Sequence, residues 1–100
     1  MIGIPRIRIT ENELQRKFNN NEGGYPSQIA RLKKRTVYDE PASPKSGQVP
    51  GTRSIVEMYY NAAGQRVMTL HYFLKPDGTL GGSGKMDPKE LLVGNAMYFK

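Results

Sequence analysis

The side chains best suited to chemistry in this sequence are Glu57 and His71, the one histidine of the chain, together with Arg53, Lys75, Ser83 and Lys85. A carboxylate and an imidazole beside several cations suit metal-independent cleavage of RNA. A general base takes the proton of a 2′-hydroxyl, a general acid protonates the leaving oxygen, and cations hold the charge that develops on phosphorus. In that scheme Glu57 is the base, His71 the acid, and Arg53, Lys85 and Lys75 the electrostatic clamp, with Ser83 a further phosphate contact. A plainer reading stands beside it: a lone histidine in a half-buried strand is commonly structural, and Glu57 is then the solvent-facing position of an alternating strand.

The elements that must position these groups follow from turn chemistry. Asn61-Ala62-Ala63-Gly64 between two β-rich runs fits a three-residue hairpin loop closed by Gly64 in the left-handed region, which pairs Asn61 with Gln65. Counting outward sets Tyr59 opposite Val67, Glu57 opposite Thr69, Ile55 opposite His71 and Arg53 opposite Phe73. Val56, Met58 and Tyr60 then share the other face with Met68, Leu70, Tyr72 and Leu74. Glu57 and His71 become diagonal neighbours on one face. Lys75-Pro76-Asp77-Gly78-Thr79 repeats the turn logic and brings Leu80 opposite Leu74, Ser83 opposite His71 and Lys85 opposite Thr69, if the third strand stays paired across Gly81, Gly82 and Gly84. Asp87-Pro88-Lys89-Glu90 reads as a helical turn, followed by a last strand at about 96–99.

In the first half, Arg6-Ile7-Arg8-Ile9 alternates and predicts a short extended piece with both isoleucines inward. Thr10 with Glu13 forms a capping box, Ile9 with Leu14 a hydrophobic staple, and Asn19-Asn20-Asn21 with Gly23-Gly24 ends the helix. Pro26, Ile29 and Leu32 predict a second short helix to about Arg35, which places Arg31, Lys34 and Arg35 on one basic face. Residues 30–38 also alternate as a strand would, so both readings stay open. Residues 41–52, with three prolines and two glycines, read as an exposed loop.

Composition bounds the rest. The chain has 100 residues, no cysteine, one histidine and a formal net charge of +6. A disulfide framework is excluded, an all-protein zinc site is improbable, and neither a metal nor another cofactor is called for. No apolar run approaches a membrane span and no signal-peptide layout is visible, so the expected location is the cytoplasm, away from membranes. Residues 1–50 hold nine basic and five acidic side chains and residues 51–100 six and four, so the positive field is stronger in the first half. Such a field attracts polyanions, and Arg31, Lys34 and Arg35 are the expected phosphate contacts outside the Glu57/His71 face.

The expected fold is α+β in a single domain over residues 1–100. Its helical half is 1–40, its exposed loop 41–52, and its strand half 53–100, with one or two short N-terminal helices packed on a three- to four-stranded antiparallel sheet. Helices first, then a sheet with Glu57 and His71 on adjacent strands, resembles the small bacterial ribonucleases of the barnase class and, more loosely, RelE-type toxins. That resemblance implies that Glu57 and His71 are the acid–base pair; the lack of tryptophan and the short last strand depart from it. Gly81 to Lys85 lack the spacing of a P-loop, leaving a cradle for one phosphate. Residues 10–35 look like the start of a helix-turn-helix, but Thr36 to Pro41 supply no recognition helix.

Three function classes follow: a small RNA-directed protein of toxin-like ribonuclease type; a non-catalytic binding module acting on nucleic acid, RNA favoured, or on a nucleic-acid-handling protein; and an oligomerising protein using an open sheet edge or its tyrosines. A homo-oligomer or a neutralising protein partner is compatible with each.

Overall fold

The computed structural model describes residues 3–100. Among them six strands, β1 (Arg6–Arg8), β2 (Lys33–Pro41), β3 (Arg53–Tyr60), β4 (Arg66–Leu74), β5 (Asp87–Val93) and β6 (Ala96–Phe99), form one sheet in the order β1-β6-β5-β4-β3-β2. β1 runs parallel to β6, and every other neighbouring pair is antiparallel. One α-helix, α1 (Glu11–Asn19), and two 3-10 turns (Pro26–Arg31 and Pro44–Ser46) complete the described elements. This corrects the expected helices on a three- to four-stranded antiparallel sheet: the architecture is a six-stranded mixed sheet with one short helix. The first forty residues also supply most of both edge strands.

Local chemistry explains each departure. In a helix, Arg31, Lys34 and Arg35 would repel one another at i,i+3 and i,i+4 spacing, and Thr36-Val37-Tyr38 prefer an extended backbone. The second helix therefore stops as a 3-10 turn at Arg31, Leu32 turns extended (φ −80°, ψ 146°), and β2 begins at Lys33. At Asp87-Pro88-Lys89-Glu90 the expected helical turn is instead the start of β5. Glu90 pairs with Thr69 and Pro88 with Leu70, leaving Lys89 bulged between them, and a bulge is where a strand tolerates proline.

The helix that does form is the one its caps specify. Thr10 Oγ1 accepts from the Glu13 amide at 3.1 Å, and the Glu13 carboxylate accepts from the Thr10 amide at 3.3 Å. Both hairpin turns also close as their glycines require. Asn61 N–H donates to the Gln65 carbonyl and Lys75 N–H to the Thr79 carbonyl, with Gly64 (φ 81°) and Gly78 (φ 86°) in the left-handed region.

The hairpin register nevertheless slips. Tyr60 pairs with Arg66 as the turn demands, but Tyr59 then pairs with Met68, leaving Val67 as an extra residue in a bulge. Val67 and Met68 are both fully buried at this bulge. Beyond the bulge every β4 side chain changes face: Glu57 is opposite Leu70, and His71 is opposite Val56.

One face of the sheet, carrying Ile55, Glu57, Tyr59, Met68, Leu70 and Leu91, is buried. α1 and the Pro26–Arg31 turn cover it: Lys17 Nζ stands 4.5 Å from the Tyr98 ring centroid on that face, and Ile29 and Leu32 line a hollow with Tyr59. Leu14, fully buried, and Phe18 tie the helix to this core. Ile9 packs inward as expected, whereas Ile7 is 40% exposed because it lies on edge strand β1. No helix of the described residues is long and apolar enough to cross a membrane.

Candidate functional site

Glu57 lies on the covered face and is 3% exposed. Its carboxylate accepts from Thr36 Oγ1 at 3.3 Å and from the Tyr59 hydroxyl at 3.4 Å, and Lys34 Nζ stands 3.5 Å away. Burial, with this carboxyl beside it, pushes the Tyr72 hydroxyl up to about 12, and burial with the same neighbour holds Tyr59 well above the usual phenol range. Arg53 shares this side of β3 but is occupied by Asp39, at 2.8 Å to the carboxylate and 3.0 Å to the carbonyl. These bonds satisfy a buried carboxylate and hold β2 to β3; they do not present a base to solvent.

His71 lies on the opposite face, so the two residues expected to act as a pair are separated by the sheet. Its Nε2 is 2.8 Å from Ser54 Oγ, and its ring meets Phe73 edge-on at 4.8 Å between centroids. His71 lines a hollow of about 230 Å³ with Phe73, Ser83, Lys85, Asp87 and Lys89. Three of the expected site residues, His71, Ser83 and Lys85, are thus brought together. They meet across a turn, because residues 81–85 leave the β4 ladder after the Leu74–Leu80 bridge. Burial and the Lys89 ammonium hold the imidazole below its ordinary value, Asp87 opposes them, and Lys100 adds to the lowering. For Asp87 burial raises the carboxyl, but the hydrogen bonds of Lys100 and Lys89 outweigh it and leave the group below the usual carboxylate value.

The three glycines of the turn give little to a phosphate cradle, since their amides are already engaged. The amides of Gly81, Gly82 and Gly84 donate to the Phe73 carbonyl, to Gln48 Oε1 and to the Gly81 carbonyl. Lys75 closes its own turn outside the hollow. Arg31, Lys34 and Arg35 do not form one cluster. Arg31 ends the 3-10 turn, Lys34 points to Glu57, and Arg35, paired with Met58, stands on the other face. Among the described residues no group of three or more histidine, aspartate or glutamate side chains is arranged to hold a metal ion.

The face that carries His71 has no helix over it and holds a feature that sequence reasoning missed. One row of paired residues crosses all six strands: Arg8, Phe99, Glu90, Thr69, Met58, Arg35. At about 4.8 Å per strand the row is about 24 Å long. Arg6 and Arg8 place their guanidinium carbons 4.6 and 4.7 Å from the Phe99 ring centroid. Glu90 accepts from Arg6 at 2.6 Å and from Arg66 at 3.2 Å, holding both arginines over the middle of the face. Arg8 and Arg35, at the two ends, form no ion pair among the described residues. The signal was present in Arg6-Ile7-Arg8, since alternation puts both arginines on one face; the partner strand β6 was not foreseeable from it.

Fold and site together define a small α+β domain with one face of its sheet covered and the other arginine-rich. No protein-family model matches the chain, and comparison with curated proteins and with solved structures gives no match.

Proposed function

We propose that this protein is a non-catalytic nucleic-acid-binding module that takes a single strand, RNA favoured, across the helix-free face of its sheet. The observation that carries the reading is the row from Arg8 through Phe99 to Arg35, flanked by Arg6 and Arg66, in a chain of net charge +6. Planar guanidinium groups beside an aromatic ring give surfaces on which bases stack, while the unpaired arginines at the ends contact phosphates. Between the ends Glu90, bonded to Arg6, Arg66 and Thr69, orients the arginines.

The test is fluorescence anisotropy with a mixed-sequence labelled single-stranded RNA at several salt concentrations. Wild type is expected to bind with affinity that falls steeply with salt. The Arg8→Ala/Arg35→Ala double variant is expected to bind about tenfold more weakly, with a log–log salt slope shallower by about two. No binding by wild type, or a double variant that binds as wild type does, refutes the reading.

A second reading keeps metal-independent ribonuclease chemistry, moved to the His71 hollow. It is supported by a histidine with a lowered pKa facing Lys85 and Lys89 in one recess. In that reading Glu57 takes no part. Cleavage of the same RNA in the presence of chelator, lost in His71→Ala and retained in Glu57→Gln, selects it; binding without cleavage selects the first.

A further inference from the structure

β2 is the outermost strand on one side of the sheet, and all nine of its residues are exposed, with Val37 at 42% and Tyr38 at 48%. An uncovered edge of this length presents a row of backbone donors and acceptors to any extended chain. The opposite edge, β1, has three residues and offers much less. Charge along β2 is segregated: Lys33-Lys34-Arg35 at one end, Asp39-Glu40 at the other.

We propose that β2 pairs antiparallel with β2 of a second copy of this chain, about a twofold axis perpendicular to the sheet at Thr36, joining two sheets edge to edge. The bulge at Val37 makes the charges fit. Lys33 and Glu40 are seven residues apart and would point to opposite faces of a regular strand. Register shifts by one between Thr36 and Tyr38, which takes Val37 out of the alternation. Lys33, Arg35, Tyr38 and Glu40 therefore share one face, and Lys34, Thr36 and Asp39 the other.

Centred on Thr36, the pairing sets Lys33 against Glu40 of the partner subunit and Lys34 against Asp39 of the partner subunit, and the symmetry repeats both. Arg35 meets Tyr38 of the partner subunit, a cation beside an aromatic ring. Sliding by two residues one way sets Arg35 against Arg35 of the partner subunit; sliding the other way leaves Lys33 beyond the paired segment and sets Lys34 against Pro41 of the partner subunit. Edge lysines normally deter strand addition, and against an unrelated strand Lys33 and Arg35 stay uncompensated. Only a partner with acids at the matching end neutralises them, and this chain is one. Of the intrachain bonds that compete, Arg53 to Asp39 joins two half-exposed groups and is worth little in water, whereas Lys34 to the buried Glu57 is the stronger competitor. The twofold axis keeps both arginine-rich faces on the same side of the joined sheet, but the dimer does not rest on the nucleic-acid reading.

The test is sedimentation velocity of the full chain over a wide concentration range. Wild type is expected to shift from monomer to dimer, and Lys33→Glu/Lys34→Glu and Asp39→Lys/Glu40→Lys are each expected to weaken association more than tenfold. An equimolar mixture of the two variants restores the dimer, because each then meets the charge it lacks. A monomer at every concentration, association indifferent to either reversal, or a mixture that stays monomeric overturns the proposal. Should either variant fail to fold, amide exchange on wild type decides: the β2 amides that point away from β3 gain protection with protein concentration if the edge pairs, and stay unprotected if it does not.

Discussion

On the covered face of the sheet Glu57 is enclosed by Thr36, Tyr59 and Lys34, whereas on the helix-free face Glu90 shares its carboxylate between Arg6 and Arg66 at a surface water reaches. Both are strand glutamates beside cations and a threonine hydroxyl. The layer above each decides its role. Beneath α1 and the Pro26–Arg31 turn a carboxylate must have its hydrogen bonds supplied by protein, so it fastens β2 to β3. On the other side the carboxylate, 14% exposed, orients Arg6 and Arg66, whose side chains are 48% and 36% exposed.

The largest expected effect separates these two roles. Glu57→Ala leaves the Thr36 and Tyr59 hydroxyls without their acceptor and opens a gap on the covered face, so it should cost about 3 kcal/mol of stability. That is a fall of about 15 °C in Tm by calorimetry for a domain of this size. Glu90→Ala should cost less, because water reaches the partly exposed Arg6 and Arg66 once the carboxylate is gone, although the buried Thr69 hydroxyl loses its acceptor. Equal losses from the two variants would show that the covering layer does not make the distinction.

A smaller effect tests the cover itself. Thr10→Ala removes the side chain that caps α1 and should cost about 1 kcal/mol, or about 5 °C in Tm. RNA affinity measured well below that Tm should not change, since Thr10 caps the helix that lies on the other side of the sheet. A variant that loses binding while folded would place α1 in the interface.

What could be read from the sequence was local. The capping box of Thr10 and Glu13, the Gly64 and Gly78 turns and the strand at Ala96–Phe99 each depend on a few adjacent residues, and each is present. The features that escaped depend on residues far apart. Val67 sits in a bulge among side chains that other strands bury, and that one extra residue moved His71 away from Glu57. Arg6 and Arg8 acquire a shared face and a ring only when β1 docks beside β6, about ninety residues away in sequence. The candidate site was therefore legible in its residue types at His71, Ser83 and Lys85, and illegible in its geometry.

The smallest effect concerns His71 and sharpens the contrast from the helix-free side. Burial and the Lys89 ammonium make the folded imidazole harder to protonate than the unfolded one. Above pH of about 6.5 the ring is neutral in both states and the shift has no effect on stability. As pH falls below that value the unfolded chain gains its proton first, so stability drops until the folded value is passed. Because the ring is only partly buried and water screens it, the drop in Tm between about pH 8 and pH 5 should be no more than about 3 °C. His71→Gln should flatten this part of the profile. The lowered carboxyls of Glu13, Asp77 and Asp87 also remove stability on acidification, but at lower pH, so their contribution remains in the variant. If His71→Gln leaves the profile unchanged, the imidazole titrates alike in both states, and the hollow with its lysines gives the ring no property that a surface histidine lacks.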